Sequence, residues 1–427
     1  MTLKVLLINI HSFNNVGDAA LSQVAIDQIQ ENFPDSRLTL VMNDPQSYTG
    51  NEQVVLSFHT WVTKNINHQA VRFIWLVCVS LVASITNRLF GKAIFFPISR
   101  DIRATIQAYL EANLVVSVPG GYFYSYGRGR ALINIAFSMS LAHFSGQPLY
   151  LFPQSFGPLQ FQWEHWLAGW LLSHSRLVMA REAQSYEQLA NWGIPISKCH
   201  ILPDSAFAYK GDPPDYALNW LHSQGINPQT DRPMLGITML DWGAQYPGFQ
   251  NQEAYENAIA AAIKYFIAQL GGRVLLLPQS CGPTPAEDDR LPASRVAKRV
   301  SHLGTSVFQA ILPLSPGLLY SVYGQLDLLI GTRMHSNIFA LSQGVPVIAI
   351  GYLHKTLGIA QSAGIKDWVV DIQQINEACL IEKLSDLWSV RSKIREDLRG
   401  RMPAIQQKSR EAGRLTALDY TRLIERN

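Results

Sequence analysis

The feature that most constrains this chain is an alternation. Short apolar runs rich in β-branched residues are followed by longer runs whose apolar residues recur at helical spacing. Residues 3–10 form the first apolar run, and residues 17–33 the first helical one. Residues 114–118, 148–152 and 177–180 are further strand-like runs, with helical segments around 130–144 and 182–192. This order predicts a parallel sheet covered by helices. Proline and glycine then gather at 210–214 (KGDPP) and 227–233 (NPQTDRP), after which the alternation restarts. Residues 234–238, 273–277, 326–330 and 345–350 read as strands, and 254–270, 294–302 and 335–343 as helices. At 427 residues the chain is too long for one ordinary core. The reading is an N-terminal α/β domain over 1–212 and a C-terminal one over 232–390. Residues 391–427 are expected as helices interrupted at Pro403, packing back on the first domain.

The two halves echo each other. PQSFGP at 153–158 and PQSCGP at 278–283 each follow an apolar strand. Loops after strand C-termini form the ligand crevice of parallel α/β sheets. Two Rossmann-like domains bearing such loops are expected to face a cleft, the plan of the GT-B type. Phe156 occupies the place of Cys281 in the other copy, so the loop does not require a thiol nucleophile.

Charge and cysteine usage narrow the function classes. A formal net charge of +3 makes the chain no nucleic-acid binder by bulk charge. Residues 391–427 hold ten Lys or Arg against five Asp or Glu, which is either a solvated helical surface or a contact for an anionic membrane. Residues 73–86, FIWLVCVSLVASIT, are too few to span a bilayer, for which about 20 are needed. This run, within an apolar insertion at 70–98, is either a buried helix or a segment dipping into one leaflet. With a lipid-linked acceptor, it and the basic tail are expected on one face. The four cysteines form no close pair and the N-terminus has no signal-peptide layout, so the expected compartment is the cytoplasm, with peripheral contact on the inner face of the plasma membrane as the alternative.

The densest chemistry lies in residues 331–355, GTRMHSNIFALSQGVPVIAIGYLHK. Arg333 and His335 fall in the first turn of a helix after a buried strand, where free backbone N–H groups and the helix dipole attract anions. Arg333 adds a planar fork for phosphate or carboxylate, and His335 a group that exchanges protons near neutral pH. Lys355 lies just past the next strand. Arg181 follows the strand LVMA, where the alternatives are anion binding and an ion pair with Glu182. In NNVGDA (14–19), Gly17 permits an unusual turn, and Asp18 either caps the helix or reaches a sugar hydroxyl. Gly120–Gly121 reads as a backbone-approach loop, and Asp204 as a turn or an acceptor contact. No metal-ligand cluster is visible and no cofactor is called for.

In this order, NVGDA, the Gly120–Gly121 pair, PQSFGP, the Ala-Arg-Glu at 180–182, LPDSAF and GTRMHSNIFALSQGVPVIAI with Tyr352 and Lys355 resemble the signature of polysaccharide pyruvyl transferases. The resemblance spans roughly residues 14–355. It departs at Tyr122, where the family often carries a third glycine. It implies a GT-B-like fold and transfer of a pyruvyl group from phosphoenolpyruvate to a glycan or lipid-linked glycan as a ketal. It also implies that Arg181, Arg333 and His335 handle the donor; the residue types add Lys355 to that crevice and His335 as acid–base, and two domains facing each other would make the two arginines converge across the cleft. Asn15, Asp18, Gly120, Gly121 and Asp204 then fall on the acceptor side. Two other readings remain: a GT-B glycosyltransferase using a nucleotide sugar, and a non-catalytic glycan-binding relative. The first would usually place a carboxylate on the helix after Gly331, and residues 333–343 carry none.

Overall fold

A computed structural model of the chain describes residues 2–64, 68–125, 130–228, 232–245, 249–282, 284–351 and 353–426. It contains an eight-stranded and a six-stranded sheet, and every ladder within them is parallel. The first holds β1 (Lys4–Ile10), β2 (Arg37–Met42), β3 (Gln53–Leu56), β4 (Leu114–Ser117), β5 (Gly120–Phe123), β6 (Leu149–Phe156), β7 (Leu177–Ala180) and β8 (Cys199–Ile201). Its order is β3-β2-β1-β4-β6-β7-β8, with β5 paired to β6. The second holds β9 (Met234–Thr238), β10 (Arg273–Leu276), β11 (Val307–Gln309), β12 (Leu328–Gly331), β13 (Val347–Gly351) and β14 (Val369–Asp371), ordered β11-β10-β9-β12-β13-β14. Both orders reverse beside the first strand, the Rossmann pattern, and both switch points open at strand C-terminal ends.

The chain divides into two compact units. One is Met1–Phe13, Leu21–Ser205 and Ser409–Asn427; the other is Asn14–Ala20 and Ala206–Lys408. The division after Ser205 precedes the Pro/Gly-rich stretch. Residues 210–214 are not a free linker: Asp212 N–H donates to Gly317 at 3.1 Å, and Tyr209 stacks on Phe339 with centroids 5.4 Å apart. The hexapeptide echo does not mark equivalent places. PQSF lies within β6, next to β4, whereas PQSC follows β10, on the other side of its switch point. Phe156 is therefore no structural counterpart of Cys281. Burial pushes the Cys281 thiol above its ordinary value, which keeps it a poor nucleophile.

In the first unit, alternate strand residues feed two cores. Leu6 and Ile8 face one core with the helices Gln69–Phe90, Arg130–Phe144 and Gln162–His174; Val5 and Leu7 face the other. Ala412, Leu415 and Tyr420 of the C-terminal helix Glu411–Glu425 join that second core. The apolar helix and this last helix of the tail thus lie on opposite faces of one sheet, against the expectation of a shared face for that part; the tail's basic excess falls in residues 391–408, which belong to the other unit. The period-2 pleat decides this, because each face needs its own cover. The helix Gln69–Phe90 runs 22 residues, longer than the apolar run alone, and ends where Gly91 takes a left-handed cap. Nor does Pro403 end its helix, which runs Glu377–Ser409. Burial of Leu398 and Met402 outweighs the hydrogen bond that proline removes.

Asp419 fixes the terminal helix. Its carboxylate accepts from Arg176 Nε and Nη2, both at 2.9 Å, and from the Tyr150 hydroxyl at 3.0 Å. Burial alone would raise its pKa, but the hydrogen bonds from Arg176 and Tyr150 hold it below the ordinary aspartate value. A depressed folded pKa contributes stability that is full above the unfolded value, about 3.9, and lost as pH falls through the folded one. Asp419→Asn should therefore lower Tm at neutral pH. The gap to wild type should close as the pH of the thermal melts falls below about 4.

Candidate active site

In the second unit, the switch point between β9 and β12 collects the site. β12 ends at Gly331, Arg333 is the N-cap residue, and the helix Met334–Ser342 starts at once. Thr238, at the end of β9, accepts from the Thr332 and Arg333 N–H groups at 3.0 and 3.4 Å, and its hydroxyl meets Ser336 at 2.9 Å. These bonds pin the turn that presents Arg333 and His335.

Arg333 is held by a residue the sequence reading did not single out. Its Nε and Nη2 reach Asp289 at 3.1 and 2.6 Å. Asp289 is buried and also accepts from the N–H groups of Gln279 and Ser280 at 3.1 and 2.9 Å. Burial pushes its pKa above the ordinary aspartate value, and Arg333 with the two N–H groups pulls against that. Asp289 follows Glu287 and Asp288 in an ordinary-looking acidic run, so nothing in the pattern set it apart. Gln279 receives the Tyr323 hydroxyl at 2.7 Å on Oε1, while its buried Nε2 has no hydrogen-bond partner among the described residues. A buried donor left open beside a cation suits a polar ligand.

The N-terminal loop Asn14–Ala20 belongs to this unit, not to the first as its sequence position suggested. Val16 N–H donates to the Gln279 carbonyl at 3.1 Å, and Asn15 pairs with Ser280 in an antiparallel bridge. Asn15, rather than Asp18, caps the following helix: its Oδ1 accepts from Gly17 and Asp18 N–H at 3.0 and 3.3 Å. Asp18 stands half-buried in the first turn. The need for Gly17 is space, not an unusual turn. A Cβ there would sit 2.1 Å from His335 Nδ1. Asn15, Gly17, Asp18, Arg333 and His335 therefore share one unit. Lys355 falls on the helix Leu353–Ala363, and its side chain lies outside the described residues.

The first unit gathers the other candidates. Arg181, at the end of β7, is buried; its Nε donates to Ser155 at 2.7 Å and its Nη1 to Asp204 at 2.8 Å. Glu182 lies 3.4 Å from Nε, so both carboxylates share this cation. A Cβ on Gly121 would stand 2.9 Å from Arg181 Nη2, so that glycine leaves room for the guanidinium. Gly120 gives room to the Tyr122 ring, which a Cβ would approach to 2.6 Å. Tyr122, the residue that replaces the third glycine, bonds Ser117 and the Val118 carbonyl at 2.8 and 2.5 Å and receives Gln154 Nε2 at 2.8 Å. Ser155 was legible only as part of the hexapeptide. Among the described residues no group of three His, Cys, Asp or Glu is placed to hold a metal ion.

Both buried carboxylates, Asp204 and Asp289, carry a stability test. Removing the buried carboxylate costs its guanidinium one charge-assisted partner, at about 1.5–3 kcal/mol. Asp204→Ala and Asp289→Ala should each lower the midpoint of urea unfolding accordingly, whereas exposed Asp101→Ala should leave it within about 0.5 kcal/mol of wild type.

The sequence model of the polysaccharide pyruvyl transferase family matches residues 15–354. The amylovoran biosynthesis protein AmsJ of Erwinia amylovora is 26% identical over 404 residues, covering 90% of this chain and 91% of that one. Among solved structures, Anabaena Alr3699/HepE in complex with UDP-glucose superposes with a TM-score of 0.57 at 13% identity over 100% of both chains. A putative UDP-N-acetylglucosamine 2-epimerase from Listeria monocytogenes gives 0.58 at 11% identity over 96% of this chain and 94% of that one. The structural likenesses show the fold, a GT-B-like pair of Rossmann-type domains. The match across nearly the whole chain shows more: the protein belongs to the polysaccharide pyruvyl transferase family, transferases of polysaccharide biosynthesis.

Proposed function

We propose that this chain transfers the pyruvyl group of phosphoenolpyruvate to a sugar of a surface polysaccharide or its lipid-linked precursor, in the cytoplasm, and closes it as a cyclic ketal. The observation that carries this reading is the placement of Arg333 and His335 on the opening turn of one helix at a sheet switch point. That turn offers the positive end of a helix, a guanidinium and an imidazole to a small, multiply anionic donor.

His335, protonated, gives its proton to the methylene carbon of phosphoenolpyruvate, and the adjacent carbon becomes oxocarbenium-like. One sugar hydroxyl adds there and its proton returns to the imidazole. The C–O bond to phosphate breaks, the second hydroxyl closes the ketal, and its proton leaves with the phosphate. Atoms balance: phosphoenolpyruvate and a diol give a ketal and inorganic phosphate. Arg333 stabilises the carboxylate or the leaving phosphate through the edge not engaged by Asp289.

Phosphate release from phosphoenolpyruvate, measured with a panel of free and lipid-linked glycans, tests the reading; turnover of a nucleotide sugar instead would favour the glycosyltransferase alternative. His335→Ala should lower kcat by about 10²–10⁴-fold with Tm unchanged. Near-normal kcat in that variant would assign the proton transfer to another group. Gly17→Ala should mimic it in part by displacing the imidazole. Arg333→Lys keeps a cation for Asp289 but not the fork, and should raise KM for phosphoenolpyruvate roughly tenfold or more.

A further inference from the structure

The helix Gln69–Phe90 has a buried and an outward stripe. Leu76, Val79 and Ala83, each 0% exposed, seal one side onto the first-unit core. The other side carries Val71, Ile74, Cys78, Ile85 and Leu89, spaced to lie on one face of a helix. Val71, Ile74, Ile85 and Leu89 are each more than half exposed, and no charge interrupts them along about 27 Å. A surface helix of a globular protein normally turns charged residues outward, and an apolar face this long marks an interaction site.

The apolar surface continues beyond the helix. The chain after Gly91 folds back along it: Ile94 N–H donates to Thr86 Oγ1 at 2.9 Å, and Trp75 Nε1 donates to the Pro97 carbonyl at 3.0 Å. This brings Phe96 beside Trp75, ring centroids 5.9 Å apart, with Ile94, Phe96 and Trp75 all exposed. On another flank a groove of about 190 Å³, lined by Phe73, Val77, Leu81, Ile133, Phe137 and Phe144, joins the helix to Arg130–Phe144.

Charge selects the occupant. Between Lys64 and Arg103 there are six Lys or Arg and a single acidic residue, Asp101. Arg88 and Lys92 are exposed at one end of the stripe, and Arg100 and Arg103 are exposed on the chain that follows Pro97, with the Arg103 guanidinium 4.7 Å from the Phe95 ring. A continuous apolar stripe rimmed by cations matches an anionic leaflet, with apolar side chains in the acyl boundary and cations at the headgroups. We propose that this face docks the protein on an anionic lipid bilayer, with the helix lying in the plane of the interface. The helix is long and apolar enough to cross a membrane. Its sealed stripe argues against crossing, because a spanning helix would have to leave the core that Leu76, Val79 and Ala83 complete. The C-terminal helix Glu411–Glu425, which holds two arginines against three acidic residues, covers the opposite sheet face and takes no part. The inference is independent of the transfer chemistry.

Flotation with phosphatidylcholine vesicles, with and without phosphatidylglycerol, tests it on the full chain. Wild type should float with the anionic vesicles and weakly or not at all with the neutral ones. The exposed-site triple variant Ile74→Glu/Ile85→Glu/Leu89→Glu should keep its Tm and lose binding by roughly tenfold or more. Arg88→Glu/Lys92→Glu should weaken binding and reduce its salt dependence. A polarity-sensitive fluorophore on Cys78, an exposed cysteine within the stripe, should shift to the blue on anionic vesicles. Absence of flotation, or flotation and fluorescence indifferent to the triple variant, would overturn the proposal. So would a dimer that the triple variant dissociates without any vesicle binding, which would make a second copy the occupant. Resistance to alkaline carbonate extraction from native membranes would overturn the in-plane arrangement in favour of a spanning one.

Discussion

The carboxylate of Asp289 organises the candidate site of the second unit. It takes the guanidinium of Arg333 on one side and the N–H groups of Gln279 and Ser280 on the other. The loop after β10 is thereby tied to the end of β12. The same loop then receives the N-terminal segment: the Gln279 carbonyl accepts from Val16, and Ser280 bridges Asn15. Gly17 is set against His335 by that chain of contacts. One buried charge thus fixes the orientation of the arginine directly and the surroundings of the histidine indirectly. Such a charge is tolerable only because every contact is a charge-assisted hydrogen bond.

The first unit solves a related problem with the same parts. Arg181 emerges at a strand C-terminus and is held by Ser155 and Asp204, and Gly121 clears room for it. In both units a cation at the open end of a parallel sheet is oriented by a carboxylate from a different element. A guanidinium held in this way loses little freedom when it meets an anion. Gln154 and Gln279, one in each unit, serve the adjoining loops: Gln154 bonds Ser117, Val118 and Tyr122, and Gln279 meets Tyr323 and Val16.

How far the site was legible in the sequence depended on distance along the chain. Arg333 and His335 could be read because strand, turn and helix are contiguous there, and local geometry places both in the first helical turn. Asp289 could not, since its identity as a site residue comes from a contact 44 positions away and its neighbours are equally acidic. Gly17 was noticed for the wrong reason. A glycine without a positive φ looks like a turn residue in sequence, but here the constraint is an imidazole brought in from residue 335. The echoed hexapeptides were real as residues and misleading as a repeat, because strand order, not chain order, decides which loops correspond.

What the sequence determined by itself was the class of architecture. Period-2 and period-3.6 patterns are local properties of the backbone, so alternating strands and helices, two parallel sheets and the anion-attracting helix start were all fixed by short-range physics. What the tertiary structure alone decided was which elements share a face and which loops share a unit. The N-terminal loop lies with the second unit because its backbone groups are satisfied by Gln279 and Ser280. The apolar helix and the C-terminal helix lie on opposite faces of the first sheet because a pleated sheet presents alternate side chains to two cores, and each core must be covered separately.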